Sequence, residues 1–269
     1  MSELLGYAFF RNALAAVAII SVAAAVIGTY ITTRRLVAIS GGITHACFGG
    51  LGLGYYLGWN PFLMAGVFAV ASALGVDWMA AKGRVREDSA IAVIWALGMA
   101  VGVLFVFLTP GYVPELNSFL FGNILTVSRV DLAAFAVYTV FLILFFAAFY
   151  RKIVAIAFDS DFARVSGLPV RGISLAMTVF IAVGIVLVIR LVGVMLLMSM
   201  IALPPMIAET FSVRYKKILF GAVAVSMATA LVGLVAAAFI DVPASATIVI
   251  TQVAAYAAAR AIKAVKPRL

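Results

Sequence analysis

Charge is the scarcest ingredient of this chain: only 11% of its 269 residues are Asp, Glu, Lys or Arg, against 66% that are hydrophobic. A soluble domain carries roughly a quarter charged residues. The polar side chains are therefore too few to coat a globule, and lipid has to be the solvent for most of the surface. There is one cysteine, Cys47, which excludes an internal disulfide and a thiolate metal cluster. There is one histidine, His45, so no His-Glu-x-x-His metalloenzyme motif exists. The Gly-x-x-x-x-Gly-Lys-Ser/Thr phosphate loop is missing as well, as is any nucleophile–base set. The chain does not read as an enzyme, and if ATP is used another subunit hydrolyses it. No small-residue cleavage site clearly ends the first apolar stretch, so a cleavable signal peptide is not expected.

What the chain has in quantity is long apolar sequence. Segments of about 20 residues, the length of a transmembrane helix, fall near 8–30, 37–57, 61–80, 89–108, 131–150, 171–190, 191–210, 217–240 and 244–262. Barrel strands are shorter and alternate with period two, which these do not. The fold class expected is an all-α polytopic membrane protein of about nine transmembrane helices, with residues 1–269 forming a single transmembrane domain. Trp59-Asn60-Pro61, the run from Pro110 to Pro114, and Asp241-Val242-Pro243 punctuate the spans as turn signals.

The formal charge of +9 sits in short clusters between spans, the pattern of a topology signal, so nucleic acid is not expected as a partner. With nine spans, all of the 19 basic residues except Arg11, Arg129 and Arg190 share one side. Basic loops stay cytoplasmic. The N-terminus is thus expected outside and the C-terminus inside.

Two connections exceed what a hairpin needs. Residues 110–130 lie on the outer side and are partly apolar, which suggests a short helix lying in or re-entering the membrane surface. Residues 151–170 lie on the inner side. There Asp159 or Ser160 can cap a short helix through Arg164, and Gly167-Leu168-Pro169 stops it. Such a helix is either a docking element or a solvated linker.

An ionisable group inside the bilayer needs a reason. His45 lies in the second span, about ten residues beyond Arg35, among the small residues Ser40-Gly41-Gly42-Ile43-Thr44 and Gly49-Gly50-Leu51-Gly52. Small residues permit close helix approach or unwound backbone around a cavity. His45 is therefore a hydrogen-bonded core residue or a pathway residue. Asp88 opens the fourth span, either as a helix N-terminal acid or as part of a path. Asp77 is expected to pair with a local base near the cytoplasmic interface. Glu209, close to Arg214, reads as structural, and Asp241 as a cap for the last helix. Pro204-Pro205 should kink or break the seventh span, as packing geometry or as a gate hinge.

Several pieces stand in a recognisable order: Gly42-Ile43-Thr44-His45-Ala46, Glu87-Asp88-Ser89-Ala90-Ile91, residues 116–124, Asp159-Ser160-Asp161-Phe162-Ala163, Leu191-Val192-Gly193-Val194-Met195, and Asp241-Val242-Pro243-Ala244. Along nearly its whole length the chain resembles the membrane permeases of bacterial ABC importers for zinc, manganese and iron. The resemblance implies a homodimer in the bacterial inner membrane, a pair of cytoplasmic ABC ATPases, and an extracytoplasmic metal-binding protein. No permanently bound cofactor is implied, only a transported divalent ion. It also casts 159–168 as the coupling helix, with Asp159, Asp161, Phe162, Arg164 and Gly167 at the ATPase contact.

In the family a histidine at the place of His45 lines the metal path, with an aspartate four residues earlier on the same helix face. Here that earlier position is Gly41, so the carboxylate is absent, and Asp88, Thr44 or a partner are the candidate replacements. Imidazole with carboxylate suits zinc, manganese or ferrous iron better than copper(I). The rival readings are a permease for corrinoids or iron chelates, an ion-coupled secondary transporter, and a non-transporting membrane scaffold.

Overall fold

The computed structural model describes residues 6–82, 85–111, 119, 122 and 124–265. Among them every regular element is helical, and eight helices are long and apolar enough to cross a membrane. We number the helices α1 (Ala8–Thr33), α2 (Val37–Leu57), α3 (Pro61–Lys82), α4 (Glu87–Leu108), α5 (Arg129–Phe158), α6 (Ser160–Val165), α7 (Val170–Phe211), α8 (Tyr215–Ile240) and α9 (Ala244–Val265), with a single 3-10 turn at Ile124–Thr126. Most of the stretch expected to hold a surface helix (112–118, 120, 121 and 123) lies outside the described residues, as does most of the 116–124 motif.

The segments expected to be separate spans at 171–190 and 191–210 are one 42-residue element, α7. Counted as continuous elements, eight helices among the described residues are long and apolar enough to span, with both expected segments contained in α7. The element is not uniform, because Gly193 sits at φ 78, ψ 171. That conformation is open to glycine and strained for any L-residue. A second difference is α5, which runs on to Phe158 through a kink at Phe149 (φ −108, ψ 15), so 151–158 is helix and not linker. Asp241 caps no following helix. It closes α8 in a left-handed conformation, φ 58, ψ 49, which Asp tolerates better than most residues.

The described chain forms two compact units. In the unit made of Thr33–Asn117 and Phe149–Arg190, α2 is the most enclosed span, with 78% of its apolar window buried. Its sequence explains this. The glycines let α4 approach to backbone contact: a Cβ on Gly98 would collide with the Cα of Ala46, and one on Gly102 would stand 2.6 Å from the Phe48 carbonyl. Gly42 meets Ile91, Gly49 meets Gly98, and Gly52 meets Gly102. These pairs advance together, so α2 and α4 run parallel. Gly54 against Pro61 and Gly50 against Met64 make α3 antiparallel to both. Arg34, 19% exposed, ties the two parallel helices at their starts by an ion pair to Glu87 at 3.5 Å. Asp77 Oδ2 accepts from the Thr178 hydroxyl at 2.9 Å, and Arg34 is the base whose charge acts on its carboxyl.

Gly98→Leu should therefore lower detergent-extracted protein and its melting temperature, since overpacking of this kind costs about 1–3 kcal/mol. Gly66→Ala on α3 is the control, because its new Cβ would meet only Val186 Cγ1, at 3.9 Å. Equal melting of the two variants would refute the glycine seam.

The other unit comprises Met1–Thr32, Ser118–Ala148 and Leu191–Leu269. Ala25, Ala208, Ile218 and Ala222 form a buried cluster in it. Gly28 packs onto the Ile201 carbonyl, with Pro205 Cγ 2.9 Å from where a Cβ would be. Pro205 has no N–H, and Ile201 is the residue four positions before it, so this is the carbonyl that the proline leaves without a helical donor. Gly28 offers that oxygen a close Cα–H contact. Helical geometry continues through Pro204 and Pro205, both buried, so the pair does not break the helix; the non-helical residue is Gly193. Elsewhere in this unit the Ser199 hydroxyl is hydrogen-bonded to the side chain of Gln252, both buried.

Candidate functional site

His45 projects from the enclosed helix α2 and keeps intermediate exposure, while Thr44, Ala46 and Cys47 on either side are buried. Its imidazole lies face to face with the Trp95 indole of α4, ring centroids 4.5 Å apart and planes within 6°. Trp95 is 40% exposed. The glycine seam produces this stack, since Ala46 on Gly98 sets the neighbouring turns of the two helices against each other. A face stack covers a ring's π surface and leaves its edge open, and both nitrogens lie on that edge. Among the described residues no hydrogen bond holds either of them.

The other path candidates are placed apart from the imidazole. Thr44 Oγ1 donates to the Ser40 carbonyl one turn back, at 2.6 Å, and is buried, so its hydroxyl is taken up by its own helix. Asp88 stands in the first turn of α4 with Arg86 at 3.5 Å. Trp95 is seven residues further along, roughly 10 Å at 1.5 Å per residue. Asp88 therefore lies level with the start of α2, not with His45. Gly41 is buried, and the Cys47 thiol is wholly buried. Among the described residues no three His, Cys, Asp or Glu side chains cluster as a metal site. Sequence reading missed Trp95. The available signal was Gly98-x-x-x-Gly102, the small-residue spacing of closely packed membrane helices, three residues beyond it.

The coupling-helix residues form one compact motif. Asp159 caps α6 by accepting from the backbone N–H of Asp161 (3.1 Å) and of Phe162 (2.9 Å). Arg164 lies 3.5 Å from Asp161, one turn back. Gly167, at φ 78, turns the chain so that the Leu168 N–H reaches the Ala163 carbonyl at 3.1 Å. Ala163 is the buried anchor at 1% exposure, while Phe162 is 68% and Val165 88% exposed. The capped turn thus holds an apolar aromatic outward. Glu209 makes no ion pair with Arg214 among the described residues.

Among the described residues eight helices are long and apolar enough to cross a membrane, and the half-exposed imidazole lies in one of them, the arrangement of a multi-pass membrane protein. The comparisons agree. Residues 6–263 match the ABC 3 transport family, and the chain belongs to that family. It is 37% identical over 95% of its length, and 91% of the relative's, to an uncharacterized membrane protein of Synechocystis sp.. It is 34% identical to a probable metal transport system membrane protein of Chlamydia pneumoniae, covering 90% of this chain and 85% of that one. A manganese transport system membrane protein of Halalkalibacterium halodurans is 29% identical over 92% and 85% of the two chains. The fold is also that of a chain in the structure of PsaBC from Streptococcus pneumoniae in complex with Fab, at TM-score 0.83 and 23% identity over 96% of this chain and 94% of that one. The chain is thus a multi-pass membrane protein of that transport family.

Proposed function

We propose that the chain is the ion-conducting subunit of an ATP-driven importer for a divalent transition metal: zinc, manganese or ferrous iron. It works as a homodimer with two cytoplasmic ATPases and receives its ion from an extracytoplasmic metal-binding protein. The observation that carries the reading is His45, whose ring nitrogens stay uncovered inside a spanning helix. Neutral imidazole is a ligand common to these metals. Relatives named for manganese and for iron transport support the same substrate class. One imidazole per chain is a sparse site, which suits an ion that has to leave again, and a second copy can supply another. Uptake of the three metals in cells with and without the gene tests the reading. Gene-dependent accumulation of one of them is expected; gene-dependent uptake of a corrinoid or iron chelate instead would overturn it.

The element α6 is proposed as the ATPase contact, with Phe162 and Val165 as its outward apolar surface. For the topology we propose nine crossings, with α7 crossing twice about Gly193. Two separate registers support this. Gly66 faces Val186, and Thr178 bonds Asp77, so the first half of α7 is antiparallel to α3 and runs like α2. Asn12 bonds the Val127 carbonyl at 3.1 Å, Gly122 packs on the Val192–Gly193 peptide, and Gly28 packs on Ile201, so the second half runs like α1. Consecutive spans alternate in direction, so a nine-crossing topology takes one crossing from each half of α7. Roughly 35 Å and 27 Å long at 1.5 Å per residue, each half can cross a hydrocarbon core of about 30 Å. The N-terminus then lies outside and the C-terminus inside.

Cysteine labelling checks this without removing the native thiol, since Cys47 is wholly buried. In intact cells an impermeant reagent should label Val242→Cys and miss Val213→Cys, at positions 42% and 74% exposed. The reverse pattern would overturn the orientation.

A further inference from the structure

We infer that Trp95 is the positioning residue for the transport imidazole: its indole face fixes the plane of His45 and so determines where an ion can be coordinated. This rests on the proposed role of His45 in the metal path. A histidine that binds metal ordinarily donates its second ring N–H to a carboxylate, a backbone carbonyl or water, which sets the ring's orientation and raises its basicity. Among the described residues nothing of that kind reaches His45. Thr44 and Asp88, the polar groups closest in sequence and register, are engaged elsewhere. What holds the ring is the parallel indole at 4.5 Å.

Two consequences follow from that geometry. An imidazole nitrogen donates its lone pair to a metal in the ring plane, and the stack leaves that plane clear while opposing rotation out of it. An indole face also orients without the pull of a carboxylate on the ring N–H, so the imidazole stays a weaker ligand. Orientation thus comes without the tight binding that would slow release. The scaffold behind Trp95 is closely packed, since Gly98 and Gly102 seat α4 on the backbone of α2. Position 95 therefore acts on ion affinity through His45 and not by touching the ion.

The first arm of the test is kinetic. Trp95→Leu keeps apolar bulk and removes the face, and Trp95→Phe restores a smaller face. Loss of an outer-shell partner typically weakens metal affinity by about 10–100-fold. Half-saturation of uptake should therefore rise at least about tenfold in Trp95→Leu, with partial recovery in Trp95→Phe and unchanged protein abundance. The second arm is spectroscopic and leaves Trp95 in place. The chain has three tryptophans, and Trp59, beyond the end of α2, and Trp78, late in α3, are exposed at 61% and 62%. In Trp59→Phe/Trp78→Phe protein, paramagnetic Mn2+ should quench Trp95 fluorescence saturably, and His45→Ala should abolish the saturable part. Unchanged half-saturation in Trp95→Leu, or saturable quenching that survives His45→Ala, overturns the inference. The two failures are separable: His45→Ala with normal uptake removes the path reading itself, whereas lost uptake in His45→Ala with unaltered kinetics in Trp95→Leu removes only the role of Trp95.

Discussion

Replacing His45 with alanine should reduce metal uptake by more than about tenfold, since even groups one shell removed from a metal are worth 10–100-fold in affinity. The same replacement should leave the amount of protein in the membrane unchanged. The contrast follows from what the side chain touches. Its packing partner is Trp95, and an aromatic stack is worth about 0.5–1.5 kcal/mol. That is too little to unfold a helix seated by the glycine seam. A histidine kept for structure would show the opposite order, with lost protein and normal transport per molecule. Uptake of zinc, manganese and iron, each normalised to immunoblotted permease, decides between them. Normal uptake in His45→Ala would remove the imidazole from the mechanism and leave the family assignment standing.

Phe162→Asp should uncouple the ATPase. The side chain is 68% exposed, so its replacement removes no core packing, and the adjacent Ala163 keeps the helix anchored. The Asp159 cap uses backbone N–H groups, which the substitution retains. If α6 seats in a partner's groove, a buried aromatic there is worth about 2 kcal/mol or more, and a carboxylate in its place adds desolvation. Transport-linked ATP hydrolysis in reconstituted complex should fall to the level of the ATPase alone, while the permease dimer still elutes intact. Gly167→Ala bears on the same surface by another route. A Cβ there meets open space, but φ of +78 disfavours any L-side chain, so the loop and not the contact residue is disturbed, and a partial loss is expected. Full coupling in Phe162→Asp would show that 159–168 is not the docking element.

Much of the architecture was already legible in the sequence, because it depends on groups close together along the chain. Too little charge to coat a globule requires lipid. Apolar runs of helical length in lipid must satisfy their own backbone and become helices. Pro61 starts α3, Asp159 caps α6, and Gly167 stops it, each by a local backbone effect that residue type alone determines. The half-kept motif around His45 could be read the same way.

Side-chain partnership across helices could not. In a soluble helix the polar face shows which way is out. In a chain that is 66% hydrophobic, with lipid as apolar as the core, that marker is nearly absent, and the rotation of each span is open. Tertiary contact settled it through backbone approach at glycines. Gly98 on Ala46 brought Trp95 onto His45, and the same register left Asp88 beside Arg86, about two turns from the imidazole. The junction within α7 is of the same kind. The sequence divides its two apolar runs at Arg190, but the non-helical residue is Gly193, where Gly122 presses against the Val192–Gly193 peptide. Composition and local capping therefore determined that this is a set of membrane helices with a short capped turn. Only the packing of one backbone on another decided which side chains meet, because in lipid the polarity that would otherwise orient a helix is almost gone.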